Sequence, residues 1–164
     1  MTRTLMAAAL AALLIAPRAR AQGESMVGVG SAAPAAVAQT LDGKDFDLGT
    51  LIGKGPLVIE FWAVWCPNCK ELEPQWLSLV KQYQGTVTFV GVAVSVNESA
   101  ARVQKYAQQH GFTHLVLFDT HGTATGAFDV PATSYVVVID RKGKIVYTGV
   151  GGDQDLAAAI RKAL

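Results

Sequence analysis

Two cysteines separated by two residues, Cys66-Pro67-Asn68-Cys69, stand where an apolar, β-branched run meets a helical pattern, and this junction constrains the fold more than any other feature of the chain. The run Leu57-Val58-Ile59-Glu60-Phe61-Trp62 has the length and composition of a central strand buried on both faces. From Pro67 to Tyr83, Leu72, Trp76, Leu79 and Val80 recur at spacings of three and four, and Pro67 suits a first helical turn. The cysteines therefore open a helix. Free amide donors and the helix dipole stabilise an anion there, so Cys66 is expected to attack as a thiolate and Cys69, one turn inside, to resolve. A disulfide between them closes too short a loop to be a strong staple, because loop-closure stabilisation grows with loop length. A redox pair is the better reading.

Upstream of residue 37 the chain has another character. Arg3 in a short basic start precedes an apolar run from Leu5 to Ala16, too short for the roughly 20 residues of a spanning helix but of signal-peptide length, and Ala19-Arg20-Ala21 supplies a small-x-small cleavage site. Cleavage after Ala21 would export the protein and leave 143 of the 164 residues; an uncleaved segment would tether it to the membrane. No cysteine follows the run to carry a lipid. Residues 22–36, rich in Gly, Ala and Ser, read as a flexible leader, and residues 37–164 as one domain. Loss of Arg3, Arg18 and Arg20 leaves 11 basic against 13 acidic residues, a formal charge of −2 in place of +1, which argues against a nucleic-acid partner.

Within the domain, Thr40 to Lys44 reads as a strand end and turn, with Phe46 and Leu48 alternating on the hairpin partner. Val87 to Val94 and Leu115 to Phe118 read as strands, and Glu98 to His110 as an amphipathic helix with Asn97 as its cap. Thr133 to Asp140 and Lys144 to Gly149 flank the turn Arg141-Lys142-Gly143, and Asp153 is placed to cap a last helix through Ala157, Ile160 and Leu164. Strand and helix alternate before a closing hairpin and helix. That order predicts an α/β fold, a central mixed sheet flanked by helices, with an N-terminal β-hairpin extension.

The stretch Phe61-Trp62-Ala63-Val64-Trp65-Cys66-Pro67-Asn68-Cys69-Lys70 resembles the thioredoxin superfamily and, within it, the exported TlpA/ResA-like disulfide reductases, a likeness that runs from about Val37 to the C-terminus. The resemblance implies a thioredoxin-like fold and a thiol-disulfide oxidoreductase that reduces disulfides of exported proteins, in cytochrome c maturation or other assembly. It further implies protein thiols and disulfides as partners, a membrane electron donor, a monomer, and no metal or organic cofactor. Glu60, six residues before Cys66, matches a buried carboxylate that manages the proton of the resolving thiol, as burial would suit it to do by raising its pKa. Pro74 matches a helix-kink position. Pro131 matches a cis-proline that faces the disulfide, which makes Trp65, Pro67, Asn68, Val130 and Pro131 the expected substrate-facing surface. Here the chain departs from the pattern. The stretch from Pro131 to the turn at Asp140 is a few residues longer than in the family, so that either the strand carries a bulge or the register differs, and an ungapped match puts Ser134 at the proline position.

Other features read more plainly. Trp62 and Trp65 are packing residues around the site, with Trp65 also able to cover the disulfide. His110, His114 and His121 show no ligand spacing, Gly149-Val150-Gly151-Gly152 is a turn rather than a phosphate loop, and Lys70 is a solvated helix residue whose charge can favour the Cys66 thiolate. Three rival functions differ from reduction. A thiol oxidant of the same fold uses the same residues; a peroxidase of the peroxiredoxin type wants a Thr where Ala63 stands; and a copper-delivery module wants wider cysteine spacing and a partnered His.

Overall fold

The computed structural model describes residues 27–164; the expected signal segment and the start of the expected leader lie outside the described residues. The elements are β1 (Val37–Thr40), β2 (Asp45–Asp47), a 3-10 turn (Leu48–Thr50), β3 (Leu57–Trp62), α1 (Pro67–Gln82), β4 (Thr88–Val94), α2 (Ala100–Gln109), β5 (Leu115–Asp119), α3 (Thr123–Ala127), β6 (Tyr135–Ile139), β7 (Ile145–Val150) and α4 (Leu156–Arg161). Seven strands form one sheet in the order β2-β1-β5-β4-β3-β6-β7. The strands β3, β4 and β5 are parallel to one another, while β1, β2, β6 and β7 enter antiparallel, β1 on β5 and β6 on β3. This is the expected mixed α/β sheet with an N-terminal hairpin, and β3 lies between a parallel and an antiparallel neighbour.

All six residues of β3 are buried, and their alternation assigns the two faces of the sheet. Leu57, Ile59 and Phe61 pack with Val90, Val92, Leu117 and Phe128, whereas Val58 packs with Leu72, Trp76 and Leu79 of α1 and with Leu156 and Ile160 of α4. Cys69, Leu72, Trp76 and Leu79 are the buried stripe of α1, and α1 begins at Pro67, where a proline's missing N–H has no helical partner to lose. Burying a residue the size of Leu72 or Leu79 contributes about 2 kcal/mol each, so this stripe, more than helix propensity, fixes how α1 lies on β3.

Several boundaries differ from expectation. Ser99, not Asn97, caps α2, its hydroxyl accepting the Arg102 N–H; Asn97 instead turns the chain at φ 51°, a region Asn tolerates. Asp155, not Asp153, caps α4 through the Ala158 N–H. The short helix α3 was not expected: it has no apolar period and is organised from outside, by the buried Asp119 carboxylate accepting the N–H groups of Ala124 and Thr125. The expected leader also ends early. Gly30 and Ala33 donate to the carbonyls of Ile145 and Gly143, and Ile145 donates to Ser31, so residues 30–33 are stitched to the β6–β7 turn through their own backbone groups.

Pro131 requires a further correction. No cis peptide bond occurs among the described residues, so Val130–Pro131 is trans, and Pro131 is exposed four residues ahead of β6. The residue directly before β6 is Ser134, fully buried at φ 63°, its hydroxyl donating to the Gly151 carbonyl. The extra length is absorbed before the strand, because β6 pairs with β3 without interruption from Tyr135 to Ile139; a separate irregularity on β7 sets Ile139 against Ile145 immediately after Val138 against Tyr147.

Candidate active site

At the C-terminal end of β3 the chain turns and enters α1 through Cys66, whose extended backbone and side chain form the helix N-cap. Cys66 and Cys69 are joined by a disulfide with their Cα atoms 5.3 Å apart, and the Cys69 N–H points at Cys66 Sγ at 3.1 Å. Both cysteines are buried, whereas Pro67 and Asn68 between them are exposed. The helix terminus thus offers donors to a charge on Cys66, the attacking position expected from the sequence.

Glu60 is held behind the pair by the parity of β3. It sits on the α1-facing side, opposite Gly91 of β4 and Val136 of β6, and its carboxyl is buried with Oε1 finding no partner in the protein. Burial, reinforced by the negative charge of Glu73, pushes its pKa up from 4.5 to about 8. A cavity of about 10 Å³, room for roughly one water, is lined by Glu60, Cys69, Lys70, Glu73, Tyr106 and His114, with Trp62 and Trp76 in its wall. Gly91 keeps this space open: a Cβ there would lie 3.0 Å from Trp62 Nε1 and 3.3 Å from His114 Nε2. His114 accepts the Trp76 indole N–H through Nε2, and burial lowers its pKa to about 4, so it is a neutral wall of the cavity rather than a charged one.

Trp65 is 40% exposed beside Cys66, and its indole N–H donates to the Val96 carbonyl at 2.8 Å. It forms one wall of a largely apolar groove with Val94, Val96, Val130, Ala132 and Thr133. Trp65 and Val130 are therefore brought to one surface; Pro131 does not line it. Trp62 is a packing residue, its ring against Tyr106 and Phe112.

Two groups escaped the sequence reading. Glu73 follows Cys69 by four residues, on the same face of α1, a spacing that makes it legible in retrospect. Glu98 carried no such signal. Its fully buried carboxylate accepts the Val64 N–H at 3.1 Å and the Ser99 N–H at 3.0 Å, with Arg102 Nε at 3.5 Å, and so clamps the turn that leads into Cys66 from across the β4–α2 loop. Glu98→Gln replaces one of these oxygens by an amide that meets an N–H donor head on. We expect a loss of about 2 kcal/mol and a fall in Tm of roughly 5 °C, measurable by thermal unfolding of the oxidised protein.

Comparison with known proteins adds three kinds of likeness. The Redoxin family model matches residues 28–163. The chain is 31% identical to the thiol-disulfide oxidoreductase ResA of Bacillus subtilis (strain 168) over 129 residues, 79% of this chain and 71% of that protein. Among solved structures it is similar to MTB DsbF in its mixed oxidized and reduced forms, with a TM-score of 0.69, 30% identity and coverage of 78% of this chain and 94% of the other. It is also similar to a secreted Mycobacterium tuberculosis disulfide oxidoreductase homologous to E. coli DsbE, with a TM-score of 0.65, 27% identity and coverage of 78% and 95%.

Proposed function

Because the chain belongs to the Redoxin family and is a thiol-disulfide oxidoreductase, we propose that it works in the reducing direction, on disulfides of exported proteins. The observation that carries this reading is the pair of acids behind the disulfide. Glu60 and Glu73 line the cavity that Cys69 reaches, and no cation lies between the cysteines. Glu73 brings negative charge to the Cys69 side, and the burial that keeps Glu60 protonated disfavours a charge on Cys69 as well; set against the pull of Lys70 and the helix terminus, both weaken the reduced form relative to the disulfide and make the dithiol a stronger donor of electrons. A strong oxidant instead has its reduced form stabilised overall, without acids behind the pair to offset the helix terminus.

In the proposed cycle the Cys66 thiolate attacks a substrate disulfide and one substrate sulfur leaves as a thiolate. Glu60, in its ionised form, takes the proton of Cys69, which then attacks Cys66 and releases the second substrate thiolate. Two electrons pass to the substrate and the Cys66–Cys69 disulfide forms. Trp65 and Val130, with Pro67 and Asn68 on the exposed rim, present the surface on which a substrate segment lies. Export rests on the signal-like residues 1–21 and is supported by the secreted relative. A membrane donor returns the electrons, and the assembly of exported proteins such as cytochromes c is the setting the ResA likeness supports.

The decisive measurement is the reduction potential of the pair in glutathione or dithiothreitol buffers. A value near about −270 mV is expected; one near about −120 mV would make the protein an oxidant and overturn the direction.

A further inference from the structure

A buried proton acceptor is useful only if its proton can leave again, and Glu60 has no hydrogen-bond partner within the protein at Oε1 to lead it away. Across the small cavity stands Glu73, half-buried on α1. Its Oε2 accepts the Tyr106 hydroxyl at 2.7 Å and its Oε1 meets His110 Nδ1 at 2.6 Å, while the His110 ring stacks on Tyr106 with centroids 3.8 Å apart. His110 is open to solvent. An exposed Glu–His pair ordinarily contributes little. This one differs because its carboxylate also lines the cavity of Glu60 and Cys69, and each carboxylate oxygen keeps a second acceptor position.

We propose that Glu73 and His110 form the proton outlet of the redox site, carrying to solvent the proton that Glu60 takes from Cys69. The inference rests on the reading of Glu60 as that acceptor. In the resolving step the Cys66–Cys69 bond forms, the bond from Cys66 to the substrate sulfur breaks, and that sulfur departs with the electron pair. The Cys69 proton passes to Glu60, crosses the cavity through about one water to Glu73, and leaves by way of His110; the departing thiolate is protonated from solvent.

The groups facing this path are Lys70 and Glu73 from α1, Tyr106 and His110 from α2, and His114 from the segment before β5, while Gly91 of β4 and Val136 of β6 flank Glu60 without charge. Of these, His114 is held neutral by burial, and the Tyr106 hydroxyl is made harder to ionise by burial and by Glu73, so it keeps its proton and fixes the carboxylate in place. Lys70 is exposed at the rim. Glu73 and His110 are positioning residues with respect to the sulfur chemistry, and Glu60 is the group through which they act.

The test separates the two sulfur steps. Reduced protein is mixed with dithiobis(nitrobenzoate); capture by Cys66 releases one thionitrobenzoate, and attack by Cys69 releases the second. In His110→Asn the first release should keep its rate, while the second slows about tenfold at pH 7, less than the ~10²–10⁴ of a direct proton acceptor because solvent still reaches the cavity more slowly by other routes. Added imidazole should restore it. In Glu73→Gln, which retains the Tyr106 hydrogen bond, the carboxyl titration of Glu60 followed by NMR should move to lower pH. An unchanged second step in His110→Asn, a slowing that imidazole does not restore, or an unmoved Glu60 titration in Glu73→Gln overturns the outlet. Wild-type protein that releases no thionitrobenzoate would instead overturn the oxidoreductase reading beneath it.

Discussion

Replacing Cys66 with Ser should reduce thiol-disulfide exchange to the uncatalysed background, whereas Cys69→Ser should keep the first attack and accumulate a mixed disulfide on Cys66. The asymmetry follows from position. Cys66 caps α1 and receives the Cys69 N–H, and a hydroxyl in its place is a far weaker nucleophile because it is almost entirely protonated at neutral pH. Cys69 is buried one turn deeper, beside the cavity that holds Glu60. Mass spectrometry of each variant after exposure to a disulfide peptide checks this: an adduct on the Cys66→Ser protein, or none on the Cys69→Ser protein, would reverse the roles.

A second large effect is expected from Glu60→Gln, and it has opposite signs for stability and for turnover. The native carboxyl holds its proton up to about pH 8, while in the unfolded chain it loses it near 4.5. Between those values the native state binds more protons, so stability is complete below about 4.5, falls as pH rises, and reaches its full loss above about 8, a difference of roughly 5 kcal/mol. The amide does not titrate. Denaturant unfolding of the oxidised variant should therefore lose that slope and, at pH 9, be more stable than wild type by about 3 kcal/mol, after some cost for burying an unpaired amide. The resolving step should slow by ~10²-fold or more. An unchanged pH slope in the variant would show that another group sets it.

Where local chemistry decides structure, the sequence was legible. The six residues of β3 match the apolar run residue for residue, and α1 ends one residue short of Tyr83, because a continuous β-branched run and a three-and-four stripe leave little choice. The redox pair was readable for the same reason: strand, tight turn and helix N-terminus follow one another along the chain. What escaped depends on distant partners. Helix α3 is nucleated by Asp119, and the turn before Cys66 is clamped by Glu98, 34 residues beyond Val64; neither contact leaves a periodic trace. His110 looked like a helix-end residue and is one, yet its partner on α1 could be known only once α2 was seen to pack there. The cis bond expected at Pro131 is not found, because a proline is conspicuous in sequence, whereas the position before β6 is set by pairing with β3 and falls to Ser134.

Residues 30–33 pair with the turn between β6 and β7, next to Gly143 and Ile145. Since β6 runs antiparallel to β3, with Tyr135 beside Phe61 and Ile139 beside Leu57, that turn belongs to the end of the sheet where β3 begins, roughly 17 Å of strand away from the end that leads into Cys66. The polypeptide thus enters the domain at one pole and presents its disulfide at the other. The disulfide therefore faces away from the pole at which residues 30–33 are fixed, toward partners approaching from the far side.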